Sequence, residues 1–362
     1  MKVKLGDITK YSKGSQINGD ELIKEGKYVY MNGGINPSGR WDTYNVRANS
    51  ITISEGGNSS GYVNFITEPF WCGAHCYYLY DGPKNQKYLY YALKSQQNKL
   101  FKLRSGACMP NIKKVDLGRF EFEFNQDEDV QKRIVTILSK LEWLLQSRKK
   151  EIDLLDNIIK ARFVEMFGNV SSNNKKWICE PLGNLSTIVR GGSPRPIEQF
   201  LGGNIPWIKI GDATNGDNIY LNSTKEHIKK EGVKKSRLIK PGSLIFANCG
   251  VSLGFARIIT FEGCIHDGWL AIEDIDVRID KVFLLHSLNQ MTEHFRKIAP
   301  SGTQPNLNTS IMKLYRQIIP PIELQKEYIV FLDQVNKSKV AIQKALDEAQ
   351  TLFDSLMQEY FG

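Results

Sequence analysis

QKRIVTILSKLEWLLQSRKKEIDLLDNIIKARFVEMFG occupies residues 131–168, and QKEYIVFLDQVNKSKVAIQKALDEAQTLFDSLMQEYFG occupies residues 325–362. Both open on Gln-Lys, both close on Phe-Gly, and they align without a gap. Neither Pro nor Gly interrupts residues 130–167 or 323–361, so each predicts one uninterrupted helix with a glycine at its natural stop. In the first, Ile134, Leu138, Leu141, Leu145, Ile152, Leu155, Ile159 and Met166 fall on heptad a and d positions, with Arg148 and Arg162 as interruptions. In the second, Tyr328, Leu332, Val335, Leu346, Ala349, Phe353 and Tyr360 take the same seam, with Lys339 and Ile342 between.

An apolar stripe must pack on something, and one mutual solution is a coiled-coil pair. The alternative is two unrelated amphipathic helices, each lying on its own domain. At about 1.5 Å per residue each helix runs on the order of 55 Å, longer than one small domain covers, which favours the pair. An antiparallel pair would place one globular domain at each end.

Outward from the helices, the repeat continues. Leu5-Gly6-Asp7-Ile8-Thr9 followed by Lys13-Gly14 matches Leu182-Gly183-Asn184-Leu185-Ser186 followed by Arg190-Gly191. Ser105-Gly106-Ala107-Cys108-Met109-Pro110-Asn111-Ile112 matches Ser301-Gly302-Thr303-Gln304-Pro305-Asn306-Leu307 with one residue deleted. The chain of 362 residues has room for two cores, and 41% hydrophobic with 24% charged residues is the composition of a globular protein. The expected fold class is α+β: two mixed domains joined by two long antiparallel helices in a pseudo-twofold internal repeat.

The formal charge of +9 fits a phosphate-rich partner, because each phosphate neutralised by Lys or Arg releases a counterion. No signal peptide opens the chain, and no segment approaches the roughly 20 apolar residues of a membrane span, so a cytoplasmic location is expected. The cysteines Cys72, Cys76, Cys108, Cys179, Cys249 and Cys264 are scattered and read as buried thiols.

Between the repeated ends lie short β-type runs, Ser50-Ile51-Thr52-Ile53, Gly61-Tyr62-Val63-Asn64-Phe65-Ile66 and Ser243-Leu244-Ile245-Phe246-Ala247, with short helices expected over 88–101 and 281–298. Polar, glycine-rich loops separate them: 32–41 and 55–61 in the first half, and 190–195, the basic segment 229–237 and 248–250 in the second. Such loops can bring amides, hydroxyls and guanidinium groups to base edges and phosphates. They can equally be ordinary solvated turns.

Catalytic signatures are missing: no P-loop, no dinucleotide fingerprint, no H-E-x-x-H, and no NPPY-type methyltransferase tetrapeptide, since Asn36-Pro37-Ser38-Gly39 lacks the second proline and the aromatic. Cys72, His75 and Cys76 mix metal-ligand types without a second pair at a zinc spacing, and read better as buried strand thiols beside a polar histidine. Cys249, His266 and Asp267 form a conceivable nucleophile, base and orienting acid, supported by residue type alone.

With these residues in place, the chain resembles the specificity subunits of type I restriction-modification systems over essentially its whole length. Ile319-Pro320-Pro321-Ile322-Glu323-Leu324-Gln325-Lys326 resembles that family's Pro-Pro-x-x-x-Gln start of a spacer helix. Leu182-Gly183, Ile205-Pro206-Trp207-Ile208-Lys209-Ile210-Gly211-Asp212 and Pro241-Gly242-Ser243-Leu244 are similar to it as well. The first half departs, because Phe122-Glu123-Phe124-Asn125-Gln126 replaces the double proline and only Gln131 keeps the glutamine.

The resemblance implies target-recognition domains at 1–124 and 169–319 and spacer helices at 125–168 and 320–362. It implies an asymmetric bipartite DNA target, two methylation subunits carrying S-adenosylmethionine, and restriction subunits using ATP and Mg. No catalysis, cofactor or metal is expected in this chain. Candidate DNA contacts are Arg40, Trp41, Asn58, Ser59, Ser60 and Arg104 in the first domain, with Arg190, Ser193, Arg195, Lys235, Arg237, Asn248, Thr303 and Gln304 in the second. The competing reading is a coiled-coil interaction scaffold that does not bind DNA.

Overall fold

The computed structural model describes residues 1–106, 109–214, 219–250, 252–300 and 306–362. They form two compact units, Met1–Lys150 with Ile342–Gly362, and Glu151–Ala341.

In unit 1 the strands are β1 (Lys2–Lys4), β2 (Lys10–Lys13), β3 (Tyr28–Met31), β4 (Gly39–Trp41), β5 (Ser50–Ser54), β6 (Val63–Ile66), β7 (Phe70–Cys72), β8 (Cys76–Tyr80) and β9 (Glu121–Glu123). The helices are α1 (Leu5–Ile8), α2 (Gln86–Ser95), α3 (Gln97–Phe101), α4 (Lys114–Gly118) and the start of α5 (Glu128–Phe167). Unit 2 holds the strands β10 (Ile178–Pro181), β11 (Thr187–Arg190), β12 (Leu201–Ile208), β13 (Tyr220–Leu221), β14 (Glu226–Ile228), β15 (Arg237–Ile239), β16 (Leu244–Ala247), β17 (Ala256–Ile259), β18 (Gly263–Ile265), β19 (Trp269–Glu273) and β20 (Arg316–Ile319). Its helices are α6 (Leu182–Leu185), α7 (Lys230–Val233), α8 (Lys281–Gln290), α9 (Thr292–Ile298), α10 (Thr309–Leu314) and the start of α11 (Ile322–Phe361), which ends in unit 1.

The strand orders correspond. Unit 1 has an antiparallel sheet β2-β8-β5-β6, a sheet β4-β3-β7 and a pair β1-β9; unit 2 has β11-β19-β16-β17-β13, β14-β12-β18-β15 and β10-β20. Even the mixed pairing recurs, since β3 is antiparallel to β4 and parallel to β7, and β12 is antiparallel to β14 and parallel to β18. Strand alternation divides each core by face. Leu244 and Phe246 of β16 pack toward Phe283, Leu284 and Leu288 of α8, whereas Ile245 and Ala247 pack toward Ile208 and Ile239 of the second sheet. In unit 1, Ile51 and Ile53 lie fully buried in the core that holds Leu89 and Leu93 of α2, each contributing about 1.5–3 kcal/mol.

The predicted single helices over 88–101 and 281–298 are each two helices. The first breaks at Gln96, whose side-chain Nε2 donates to the Phe361 carbonyl at 2.9 Å. The second breaks at the buried Met291, where the Thr292 hydroxyl donates to the Gly254 carbonyl at 2.6 Å.

The long helices start at Glu128 and Ile322, slightly ahead of the apolar periodicity. Asp127 caps the first, its Oδ1 accepting from the amides of Asp129 and Val130. The matching placement of Gln131 and Gln325 in the two halves has a physical cause, because both are buried and return to the chain before the helix. Gln131 Nε2 donates to the Asn125 carbonyl at 2.6 Å; Gln325 Nε2 donates to the carbonyls of Pro320 at 2.7 Å and Arg278 at 2.9 Å. The first half therefore keeps its clamp without the double proline. Gly168, at φ 79°, ends α5 with its amide on the Val164 carbonyl.

Along both helices the predicted stripe is withdrawn from solvent. Leu138, Leu145, Ile159, Met166, Tyr328, Leu332, Val335, Leu346 and Ala349 are buried, while Trp143 on the opposite side of α5 is 68% exposed. In unit 2 the two helix segments run antiparallel, as Lys339 pairs with Asp156 at 2.6 Å and Glu327 with Arg162 at 3.0 Å. Phe163 and Phe167 close the stripe there against Phe283 and Tyr328. In unit 1, Ile134 and Leu138 share a core with Met357 and Phe361. No helix among the described residues is long and apolar enough to cross a membrane.

Candidate nucleic-acid interface

The polar loops collect where β2 meets β8 in unit 1 and where β11 meets β19 in unit 2, on one backbone design. The amide of Glu55 donates to the His75 carbonyl, Ile112 to Glu55, and Gly61 to Ser54. The counterparts are Asn248 to Gly268, Leu307 to Asn248, and Gly254 to Ala247. Gly57 and Gly250 have φ of 75° and 73°, a conformation that glycine adopts without strain. The repeated Lys13-Gly14 and Arg190-Gly191 are explained by close approach: a Cβ on Gly14 would lie 1.8 Å from the Cys72 carbonyl oxygen, and one on Gly191 2.2 Å from that of His266.

In unit 1, Glu55 is only 14% exposed and takes Lys13 on Oε1 and His75, at 3.6 Å, on Oε2. Of the predicted contacts, Asn58 is exposed in this loop. Ser59 donates to the Gly33 carbonyl at 2.6 Å, and Arg104 Nε donates to the Ser60 carbonyl at 2.7 Å while its guanidinium covers the Phe101 ring. Arg40 and Trp41 sit apart from the loop on β4. Arg40 donates to the carbonyls of Gly26 and Lys27, and Trp41 packs edge-on to Trp71. Ser60 departs from its expected role, because its side chain is fully buried and its hydroxyl donates to the Glu55 carbonyl at 2.6 Å, which shapes the loop from inside.

Unit 2 draws three distant segments together. Arg190 Nε donates to the Asp267 carbonyl at 3.0 Å, the Ser193 hydroxyl to Asp267 Oδ1 at 2.8 Å, and Arg195 lies 3.7 Å from Oδ2. Arg237 Nε donates to the Arg190 carbonyl and the Ser236 hydroxyl to that of Gly192, so the 235–237 segment runs beside the 190–195 loop. Lys235 stands over the Phe200 ring at 4.8 Å. Arg190, Arg195, Lys235 and Arg237 are exposed and form a basic surface. Asn248, like Ser60, departs from the expectation: it is fully buried, with Nδ2 on Asn306 Oδ1 at 3.2 Å. Thr303 and Gln304 lie outside the described residues.

The residues that reasoning from sequence passed over are Lys13, Glu55 and His75 in unit 1 and the organising role of Asp267 in unit 2. The Lys13-Gly14 and Arg190-Gly191 repeat was the available signal, since it marks where each loop cluster is anchored.

Cys249, His266 and Asp267 do come close together, but not as a nucleophile, base and acid. His266 Nδ1 accepts from the Gly268 amide at 2.9 Å and Nε2 lies 3.0 Å from Asp267 Oδ1, so both ring nitrogens are engaged away from the thiol. Burial, with Asp267 nearby, pushes the Cys249 thiol up and keeps it protonated. Burial, helped by Lys209, Arg195 and Arg190, holds His266 below its ordinary value against the pull of Asp267. At the other cluster, Cys72 and Cys76 are buried strand thiols, and the partly exposed His75 turns to Glu55. Contact with Cys76, then burial, pushes the Cys72 thiol up.

Two units of corresponding strand order thus present polar, glycine-shaped loops on one framework, the second of them beside a basic surface. The family profile of the type I restriction modification DNA specificity domain matches residues 1–156 and 174–349, and the chain belongs to that family. A type I specificity subunit of Mycoplasma genitalium is 26% identical over 96% of this chain and 90% of its own length. One from Mycoplasma pneumoniae is 33% identical over 42% of this chain and 41% of its own. Among solved structures, a type I S subunit from M. genitalium superimposes with a TM-score of 0.63 at 22% identity, covering 100% of this chain and 96% of that one. A chain from a structure on complex assembly and conformational transition of a type I system gives 0.54 at 14% identity, over 99% and 96%. These likenesses establish the fold, and family membership carries the function of sequence-specific DNA recognition.

Proposed function

We propose that this chain is a non-catalytic specificity subunit that reads an asymmetric, bipartite DNA target and positions methylation subunits for adenine methylation. The observation that carries the proposal is the pair of loops at 55–61 and 248–254, which share their backbone bonds but carry different side chains. Equal frames with unlike side chains read unlike half-sites. In this reading residues 1–124 and 169–319 are the recognition domains. Residues 125–168 and 320–362 pair as an antiparallel coiled-coil spacer in a pseudo-twofold repeat, supported by the matched apolar stripes.

Each domain would face the major groove at its own half-site, leaving an unread gap between the half-sites. S-adenosylmethionine would reside in two methylation subunits, which must flip the adenine, and ATP with Mg in restriction subunits. The assembly would work in the cytoplasm. Arg190, Ser193, Arg195, Lys235 and Arg237 are the second domain's proposed contacts, and Asn58, Ser59, Arg104, Arg40 and Trp41 those of the first.

The test is co-purification with the methylation subunit, followed by single-molecule sequencing of host DNA for methyladenine. A split asymmetric motif that vanishes when this chain is deleted establishes the role. Stable assembly with no methylated motif, and DNA affinity indifferent to salt, would establish a scaffold instead.

A further inference from the structure

A carboxylate is out of place at the centre of a surface that meets phosphates, because it repels them. Asp267 stands there, its carbonyl accepting from Arg190 and its carboxylate 3.7 Å from Arg195, with its side chain 33% exposed. Its two oxygens differ. Oδ1 accepts from the Ser193 hydroxyl at 2.8 Å and faces His266 Nε2 at 3.0 Å. Since His266 Nδ1 accepts the Gly268 amide, the ring proton of the neutral imidazole resides on Nε2, the nitrogen that lies 3.0 Å from Oδ1. Oδ1 is therefore occupied by the Ser193 hydroxyl, with the imidazole N–H beside it. Oδ2 meets only Arg195 among the described residues, at a loose 3.7 Å. Glu55 of unit 1 offers the contrast, being 14% exposed with a cation or imidazole on each oxygen.

Building on the proposed function, we infer that Asp267 is a base-reading residue whose Oδ2 accepts an exocyclic amino group, from cytosine N4 or adenine N6, in the major groove. A carboxylate can accept but not donate, so it selects amine-bearing bases and rejects the keto oxygens of guanine and thymine. The Ser193 hydrogen bond holds the acceptor in place before DNA arrives, and the His266 ring stands against the same oxygen. The surrounding arginines supply the phosphate attraction that offsets its repulsion.

The experiment is selection from a random duplex pool by the full chain with its co-purified methylation subunits, for the parent, Asp267→Ala, Asp267→Asn and Ser193→Ala. For Asp267→Ala, preference for the amine-bearing base falls between about 5-fold and about 150-fold at one base pair of one half-site. Affinity for unrelated duplex rises, because a repelling charge is gone. In Asp267→Asn the Ser193 hydroxyl, with the imidazole N–H beside it, keeps the amide oxygen in the Oδ1 place and turns its NH2 toward the base, so preference at that pair moves to a keto base. Ser193→Ala weakens the same position to a lesser degree. If Asp267→Ala lowers affinity for all sequences alike, or both Asp267 variants select the parent motif, the inference is overturned, and Asp267 only braces the loop. A parent chain that selects no motif overturns the DNA-reading function itself.

Discussion

Replacing Gln325 by Leu keeps the volume of a fully buried side chain and removes every hydrogen bond it makes. Those bonds are Nε2 to the carbonyls of Pro320 and Arg278, at 2.7 and 2.9 Å, and Oε1 from the Asp280 amide, at 2.8 Å. Asp280 in turn caps α8 through the amides of Val282 and Phe283. One side chain thus ties the start of the long C-terminal helix to the start of a core helix. At about 1 kcal/mol net per bond, and more where a buried group is left without a partner, the loss is about 3–5 kcal/mol. A two-unit chain need not unfold in one step, so native-state hydrogen exchange read by mass spectrometry, peptide by peptide, is the appropriate assay. Protection in unit 2 should fall by at least about 100-fold, with unit 1 peptides much less affected. Gln131→Leu breaks a single such bond and should cost unit 1 about 1 kcal/mol. A fall below about 10-fold for Gln325→Leu, or an equal loss in both units, would show that the clamp does not hold the helix start.

Other outcomes follow from the same geometry. Phe163→Ala empties a site enclosed by Phe167, Phe283 and Tyr328 and should destabilise unit 2 by about 3–5 kcal/mol, whereas Trp143→Ala on the exposed side of α5 should change stability by at most about 0.5 kcal/mol; thermal unfolding of the two variants checks the contrast. Lys235→Ala, losing an exposed cation, should weaken binding to all DNA sequences alike and reduce the slope of log affinity against log salt by about 1; a change confined to one base pair would make Lys235 a base reader. Burial lowers His286 to about 4, below its unfolded value of 6.5. The unfolded chain therefore takes up the proton first, and the stability present above about pH 6.5 is lost as pH falls toward 4, by about 3 kcal/mol in all. Exchange rates in unit 2 measured across that range should steepen in the parent and flatten in His286→Gln.

The helices and the repeat were legible because their causes are local. A stripe such as Leu138, Leu145 and Ile159 is set by the 3.6-residue period of one helix, and the absence of Gly and Pro lets it run. Gly14 and Gly191 carried the repeat visibly because a close backbone approach leaves room for no other side chain. The breaks at Gln96 and Met291 were not legible, since each is held by a partner far along the chain, Phe361 in one case and Gly254 in the other.

The same division runs through the site. Residue type alone placed Arg190, Ser193 and Arg195 on a loop suited to DNA, and it placed Ser60 and Asn248 there too. Only the tertiary structure separated them, because burial depends on what the rest of the chain stacks over a loop, and it turned those two side chains inward. Asp267 had no local mark. Its partner Ser193 lies 74 residues away, and its placement comes from the loop after β11 meeting the β18–β19 turn, which gives one carboxylate oxygen a fixed donor and leaves the other with Arg195 at 3.7 Å. Sequence by itself determined which segments are helices, which ends repeat and that the chain is basic. The folded chain decided which polar side chains hold a loop from inside and which stay at the surface.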